Sequence, residues 1–245
     1  MSRFWSRAAI SSVAVAIALA ACDRTPTSPA PEVPEYEYNF REGPHGWTFA
    51  GAGYYKESNV SLTGDYRPLA GTLAAQGAAL FAEGSSIGTI PVMFFKSLVS
   101  GLVASQRYNV SFALEIATNT PYGCAGAGSS PGEGTYVKAG ASTSEPSIVE
   151  VPTSSGYVFI GMDFDLGNRA NAGSNSVTLG HIANSRPCPD YSVWELKALQ
   201  SDATVEVSAD ANGRAWIFQA VDPGFEGGVI RVYFTQFKAT FQQKK

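Results

Sequence analysis

The residues in this 245-residue chain that lend themselves to chemistry begin with two carboxylates two positions apart, Asp163 and Asp165, with Asn168 just beyond. On a strand, positions i and i+2 share a face, and paired hard oxygens of this kind suit Ca²⁺. The segment departs from an EF-hand loop because Gly167 takes the fifth place. The competing reading is a strand end turning at Gly167 with solvated acids. A second set could bind without covalent chemistry. Tyr54, Tyr55 and Tyr122 lie in Gly-rich, turn-prone stretches, and an aromatic ring can cover the apolar C–H face of a sugar. Asn119 and Asn168 supply amides for hydroxyls, and Glu226 stands beside Phe225 in the turn Asp222–Gly228. Against this, Tyr54 and Tyr55 equally fit half-buried strand aromatics, and the 222–228 turn equally fits a plain connection.

Catalytic readings rank lower. Glu115, Glu133, Asp163, Asp165, Asp222 and Glu226 offer pairs for glycoside hydrolysis, which needs two carboxyls about 5–9 Å apart. Any domain of this size carries as many acids. His45 and His181 meet no G-x-S-x-G elbow, so Ser–His catalysis lacks its framework. Gly126-x-Gly128 is followed by neither G-K-[ST] nor a βαβ unit, which removes a phosphate loop.

The chain opens with a targeting pattern. Arg3 and Arg7 precede the apolar, small-residue run Ala8–Ala21. That run is too short for a membrane span of about 20 apolar residues, so residues 1–21 read as a signal peptide. Leu19-Ala20-Ala21-Cys22 resembles the lipobox of bacterial lipoproteins. The resemblance implies that Cys22 is acylated on sulfur, palmitate being the usual chain. Cleavage then makes it the first residue, and it is acylated again on its amine. Two or more chains give stable anchoring where one is marginal. Asp23 resembles the inner-membrane retention signal of enteric lipoproteins, a rule that is not general, so the membrane and leaflet stay open. Residues 22–34 are rich in Pro, Thr and Ser and read as an extended tether. Loss of Arg3 and Arg7 with the leader takes the formal net charge from −4 to −6, which argues against a nucleic-acid partner.

Export also reads onto the cysteines. With Cys22 lipidated, Cys124 and Cys188 remain as one pair in an oxidising compartment, and a disulfide is the economical assignment. Closing so long a loop contributes roughly 3–4 kcal/mol in the chain-entropy model. A two-thiolate metal site lacks any CxxC or nearby histidine. The cysteine pair would pin the glycine-rich stretch Thr118–Ala141 at one end of the fold, with Glu133 and Lys138 as a surface pair at its exit.

The elements around these residues are strands. Tyr108, Val110, Phe112, Leu114 and Ile116 occupy every second position, with Asn109, Ser111 and Glu115 on the other face. That period of two marks a sheet with one buried face. Similar runs occupy 35–41, 47–49, 78–82, 89–96, 135–139, 147–151, 157–165, 176–182, 191–199, 203–208, 215–220 and 228–241. No convincing amphipathic helix appears; 92–104 is the nearest candidate, and Gly101 and its β-branched residues weaken it. Trp47, Trp194 and Trp216 sit in strand patterns as core candidates. The fold class is all-β, a single antiparallel β-sandwich over residues 35–245.

Tyr38–Phe49 (YNFREGPHGWTF) resembles the first strand and turn of galactose-binding-like jelly rolls. Leu98–Phe112 is similar to their later "Y-x-V-S-F" strand, and Gly213–Phe237 to their closing hairpin. The resemblance implies a jelly roll and sugar binding. Thr235 stands where many members carry an acidic residue near the end of the last strand.

The sequence therefore describes an exported, lipid-anchored lipoprotein of the cell envelope. Its domain reads as a non-catalytic binding module for carbohydrate, with Ca²⁺ as an optional ligand. The alternatives are a structural or protein-interaction envelope lipoprotein and a glycan-active hydrolase. Replacing Cys22 with Ala is expected to move the protein from the membrane pellet to the soluble fraction. A variant that still pellets with membranes would remove the lipid reading.

Overall fold

The computed structural model describes residues 33–245. The expected signal peptide, Cys22 and nearly all of the expected tether lie outside the described residues. β1 (Glu35–Asn39) leads through a short 3-10 turn, Phe40–Glu42, to β2 (Thr48–Ala52), β3 (Tyr54–Tyr55) and β4 (Val60–Pro68). A second 3-10 segment, Gly71–Gln76, precedes β5 (Ala78–Thr89), β6 (Val92–Ser100) and β7 (Arg107–Thr118). Next come β8 (Thr135–Ser142), β9 (Ile148–Pro152), β10 (Val158–Met162), β11 (Gly167–Asn168) and β12 (Asn171–Ala172). The chain finishes with β13 (Ser176–His181), β14 (Glu195–Gln200), β15 (Val205–Ser208), β16 (Arg214–Pro223) and β17 (Glu226–Gln243).

These strands form an antiparallel β-sandwich, as the periodicity requires. One sheet runs β14-β7-β17-β5-β4, with β1 added to β17 and β15 to β7; the other runs β13-β8-β16-β6-β2. In β7, Tyr108, Val110, Phe112, Leu114 and Ile116 are all buried between the sheets. Trp47 sits in the same core, its ring edge-on to Tyr38, Phe40 and Phe237 at 5.3, 5.5 and 4.9 Å. Edge-to-face pairs of this kind add to the burial energy of each ring. The phrase Tyr38–Phe49 thus encodes a packed aromatic cluster.

Two readings of the strands change. The 92–104 stretch is strand β6 over most of its length. β4 was not anticipated, because Gly64 interrupts its pattern. The Phe49 ring lies so close over Gly64 that a Cβ there would come within 1.9 Å of it. The glycine that hides the strand is what lets the core close over it.

The registers put five connections at one end: β2 to β4 through β3, β5 to β6, β7 to β8, β13 to β14, and β16 to β17. The long loops 119–134 and 182–194 therefore lie at that end.

The outer face of the second sheet carries its own layer. Phe164 and Leu166, in the segment after β10, pack on Phe94, Phe218 and Ala220. Beneath them Lys138 is completely buried. Its Nζ donates to the carbonyls of Leu166 and Asn171 at 2.9 and 3.0 Å and pairs with Asp222 Oδ2 at 3.1 Å. Asp222 Oδ2 also accepts the Arg169 N–H at 2.7 Å. The expected Glu133–Lys138 surface pair is therefore wrong: the outward face of β8 is roofed by a segment far along the chain, and Lys138 holds that roof down. Trp216 shares an outward face with Phe218 and Ala220 but lies half-exposed, with Lys96 Nζ 5.7 Å from its ring centroid. Trp47 and Trp194 are buried, as expected.

Breaking one partner of a buried pair leaves the other charge uncompensated, which costs about 3–5 kcal/mol. Lys138→Ala is expected to lower stability in urea denaturation by that order. Lys138→Met combined with Asp222→Leu should recover part of the loss. A single variant as stable as the parent would show that the roof is held by its apolar contacts alone.

Candidate functional site

The loop-rich end is held by covalent and hydrogen-bonded ties. Cys124 and Cys188 form the expected disulfide, with Cα atoms 5.1 Å apart. On either side of it the loops 119–134 and 182–194 run together. Asn184 N donates to Thr120 O at 2.8 Å, Tyr122 N to Arg186 O at 2.9 Å, and Cys188 N to Tyr122 O at 2.9 Å. Asn119 Nδ2 donates to Tyr191 O at 2.8 Å. Glu133 folds back into its own loop, accepting from Gly123 N at 2.7 Å and from the Ser130 hydroxyl. Burial opposes ionisation of Glu133, but these hydrogen bonds outweigh it and hold the carboxyl below its ordinary range. Nearby, Lys197 Nζ donates to the carbonyls of His181 and Ala183 at 2.7 and 2.8 Å. Burial and the Lys197 charge push the His181 pKa down, so its ring is neutral at neutral pH.

Beside this frame lies an aromatic cleft of 510 Å³. It is built on a small third sheet, β3-β10-β9, in which Tyr55 pairs with Phe159 and Phe159 with Val151. Paired positions share a face, so Tyr55, Phe159, Val151 and, two positions on, Tyr157 point the same way. Tyr55 and Tyr157 are 47% and 53% exposed. The Tyr55 ring stands edge-on to Tyr157 and Phe159, at 6.1 and 5.5 Å. Ser58, Asn59, Ser86 and Thr89 line the same cleft and supply hydroxyl and amide groups. Lys56 pairs with Glu150 at 2.8 Å across the sheet, and both are well exposed.

The structure splits the set of residues expected to bind ligand. Tyr54 and Tyr55 line the aromatic cleft. Asn119 lines a separate cleft of 310 Å³ with Tyr191, Phe225 and Arg231. Tyr122 is exposed on the disulfide loop, bridged to Pro187. Asn168 lies in the β11–β12 pair. Glu226 opens β17, its N–H donating to Ala127 O at 2.8 Å and its Cα opposite Thr89. No one cleft gathers them.

Asp163 and Asp165 lie in a bend past the end of β10, so the shared strand face expected of them does not form. Asp163 Oδ1 accepts from Ser147 N at 2.7 Å. Asp165 accepts from Gly167 N at 2.9 Å and from Ser174 N at 2.7 Å. Both carboxylates work as loop clasps, and among the described residues no three His, Cys, Asp or Glu side chains gather as a metal site. Thr235 is buried, and its hydroxyl donates to Glu115 O at 2.9 Å. Three more of the acids considered for hydrolysis have partners in the fold: Glu115 with Arg41 at 2.6 Å, Glu133 in its loop, and Asp222 with Lys138.

Sequence reasoning missed a groove of 630 Å³ on the outer face of the first sheet. Glu37, Asn39, Glu115, Gln200, Gln236 and Lys238 line it. Its charges are largely neutralised: Lys238 pairs with Glu35 and Glu37 at 2.8 and 2.7 Å. The available signal was the polar half of each strand's alternation, read across β1, β7, β14 and β17 together.

No family model matches the sequence, and no curated protein matches it. Among solved structures the chain is similar to carbohydrate-binding modules described as being from the beta-sandwich superfamily. The identity there is 12% and the TM-score 0.38, over 85% of this chain and 61% of that one. It is similar to TmCBM61 in complex with beta-1,4-galactotriose at 12% identity and TM-score 0.32, over 82% of this chain and 92% of that chain. The family 11 carbohydrate-binding module of a Clostridium thermocellum cellulosomal cellulase aligns at 9% identity and TM-score 0.34, over 87% and 96% of the two chains. At such identities and scores they lend no residue correspondence to this chain.

The backbone N–H groups of Ser174 and Gly167 hold the Asp165 carboxyl below its ordinary range. A carboxyl with a lowered folded-state pKa stabilises fully above the unfolded value of about 3.9 and loses that contribution as pH falls through the folded value. Amide exchange at Ser174 and Gly167 is therefore expected to accelerate selectively below about pH 4, and Asp165→Asn to show fast exchange already at neutral pH. Equal protection in parent and variant across that range would remove the clasp.

Proposed function

We propose that this protein is a carbohydrate-binding module that works without covalent chemistry, its main contact being the aromatic cleft of the small sheet. One observation carries this reading. Tyr55 stays about half exposed beside Phe159 in a cleft edged by hydroxyl and amide side chains, and Tyr157, equally exposed, stands edge-on to its ring. Clustered exposed rings mark a surface that meets something else. A pyranose offers what this surface lacks, an apolar C–H face for the rings and hydroxyls for Asn59, Ser58 and Thr89. The edge-on rings form a corner that fits around one sugar unit from two sides. The lipobox-like Leu19–Cys22 supports a lipid-anchored position on the cell envelope, with the Pro/Thr/Ser-rich stretch as tether.

A protein-interaction surface is the second reading, favoured by Ile148, Val149 and Val151, which stand exposed on the outer strand of the same small sheet. A glycan array of the purified protein separates the two. Binding to a polysaccharide is expected, and Tyr55→Ala should weaken it by about tenfold, in line with the loss of one stacked ring, at an unchanged melting temperature. Running the array with and without Ca²⁺ tests whether Asp163 and Asp165 take part. A blank array from folded protein would overturn the carbohydrate reading and favour the apolar strand surface.

A further inference from the structure

We propose that the smaller cleft at the disulfide end binds a single carboxylated sugar unit, with Arg231 taking the carboxylate. The cleft originates in a gap in a β-ladder. β17 pairs with β7 only from Tyr233 onward, opposite Ala117, whereas its pairing with β5 runs back to Glu226, opposite Thr89. From Gly228 to Val232, alternate N–H and C=O groups of β17 therefore face a space that holds no strand. The disulfide loop closes the far end of that space where Ala127 bridges Glu226. What remains is a cleft of 310 Å³, at the small end of ligand sites and suited to one ring rather than a chain.

Its walls combine three kinds of group. Tyr191 and Phe225 offer aromatic surface. Asn119 has its amide N–H engaged by Tyr191 O, which leaves its carbonyl oxygen to accept from a hydroxyl. Arg231, exposed on the outward face of β17, pairs with Glu83 through Nε, and its two terminal nitrogens make no hydrogen bond among the described residues. A guanidinium with free N–H groups matches a carboxylate better than any neutral group. Rings for a C–H face, an amide and open main chain for hydroxyls, and a cation for an acid together describe a hexuronate. A neutral hexose would use everything except Arg231; a simple carboxylate would use little besides it.

The cleft is preformed. The Phe225 ring is held between two glycines: a Cβ on Gly126 would come within 2.4 Å of it, and one on Gly228 within 2.9 Å. A rigid wall spares a ligand the cost of ordering it. None of the residues lining this cleft lines the Tyr55 cleft, so either reading can fail without the other.

Titration calorimetry on the purified full-length protein tests the proposal, with glucuronate, galacturonate, glucose, galactose and acetate as probes. At least one uronate is expected to bind tenfold or more tightly than both its neutral counterpart and acetate. Arg231→Gln should abolish that advantage, Asn119→Ala should weaken the uronate whatever the state of Arg231, and Tyr55→Ala should leave it unchanged. Melting curves establish that each variant is folded; if Arg231→Gln is not, Asn119→Ala decides. The proposal is overturned by the absence of uronate binding, by acetate binding as tightly, or by a preference that survives loss of the Arg231 charge. Uronate affinity unchanged in Asn119→Ala would overturn it equally.

Discussion

The fold depends on the backbone ladder of one eighteen-residue strand, β17. It pairs with β7 along one edge and with β5 and then β1 along the other. Strand partners must match length to satisfy every N–H and C=O, and here they do not. β7 stops at Thr118 while β17 runs on, and the loop that follows β7 has to return to the far end of β17 at Ala127. The disulfide, the paired loops and the Phe225 ring all secure that return. The cleft beside Asn119 follows from these unequal strand lengths, and it lies where five cross-sheet connections gather.

A second constraint acts on the outer face of the other sheet. Phe94 and Phe218 point away from the main core and need their own cover. The segment after β10 supplies it, and Lys138 and Asp222 tie it down from beneath. Their attraction is strong because water is excluded, and removing either one is costly for the same reason. The cover continues back into β10, which carries β3 and β9 and hence the exposed rings. Stability of the roof and placement of the aromatic cleft are thus linked through one stretch of chain.

Legibility followed the range of each interaction. The buried alternation of β7 is a local property, and it was readable position by position. The Cys124–Cys188 pairing was readable because only two cysteines remained once Cys22 was assigned to lipid. Trp216 and Lys138 were misjudged for one shared reason: each lies on the outward face of its strand, and a distant segment decides what happens there. It covers Lys138 completely and leaves Trp216 half-exposed. Asp163 and Asp165 were paired on the assumption of a continuous strand, and the bend after Met162 set each to holding a different loop.

By itself the sequence determined the all-β class, the antiparallel sandwich and the disulfide, because period-two patterning and cysteine count are properties of residue type and order. It also marked Tyr54 and Tyr55 as aromatics in a turn-rich stretch. Only the tertiary structure decided that Tyr55 stands beside Tyr157 and Phe159, about a hundred residues away. It likewise put Asn119 with Arg231, and Glu226 against the disulfide loop. Tyr55 meets Phe159 through pairing of β10 with β3, and Asn119 meets Arg231 where β7 stops short of β17; pairing across a hundred residues leaves no periodic trace in the chain.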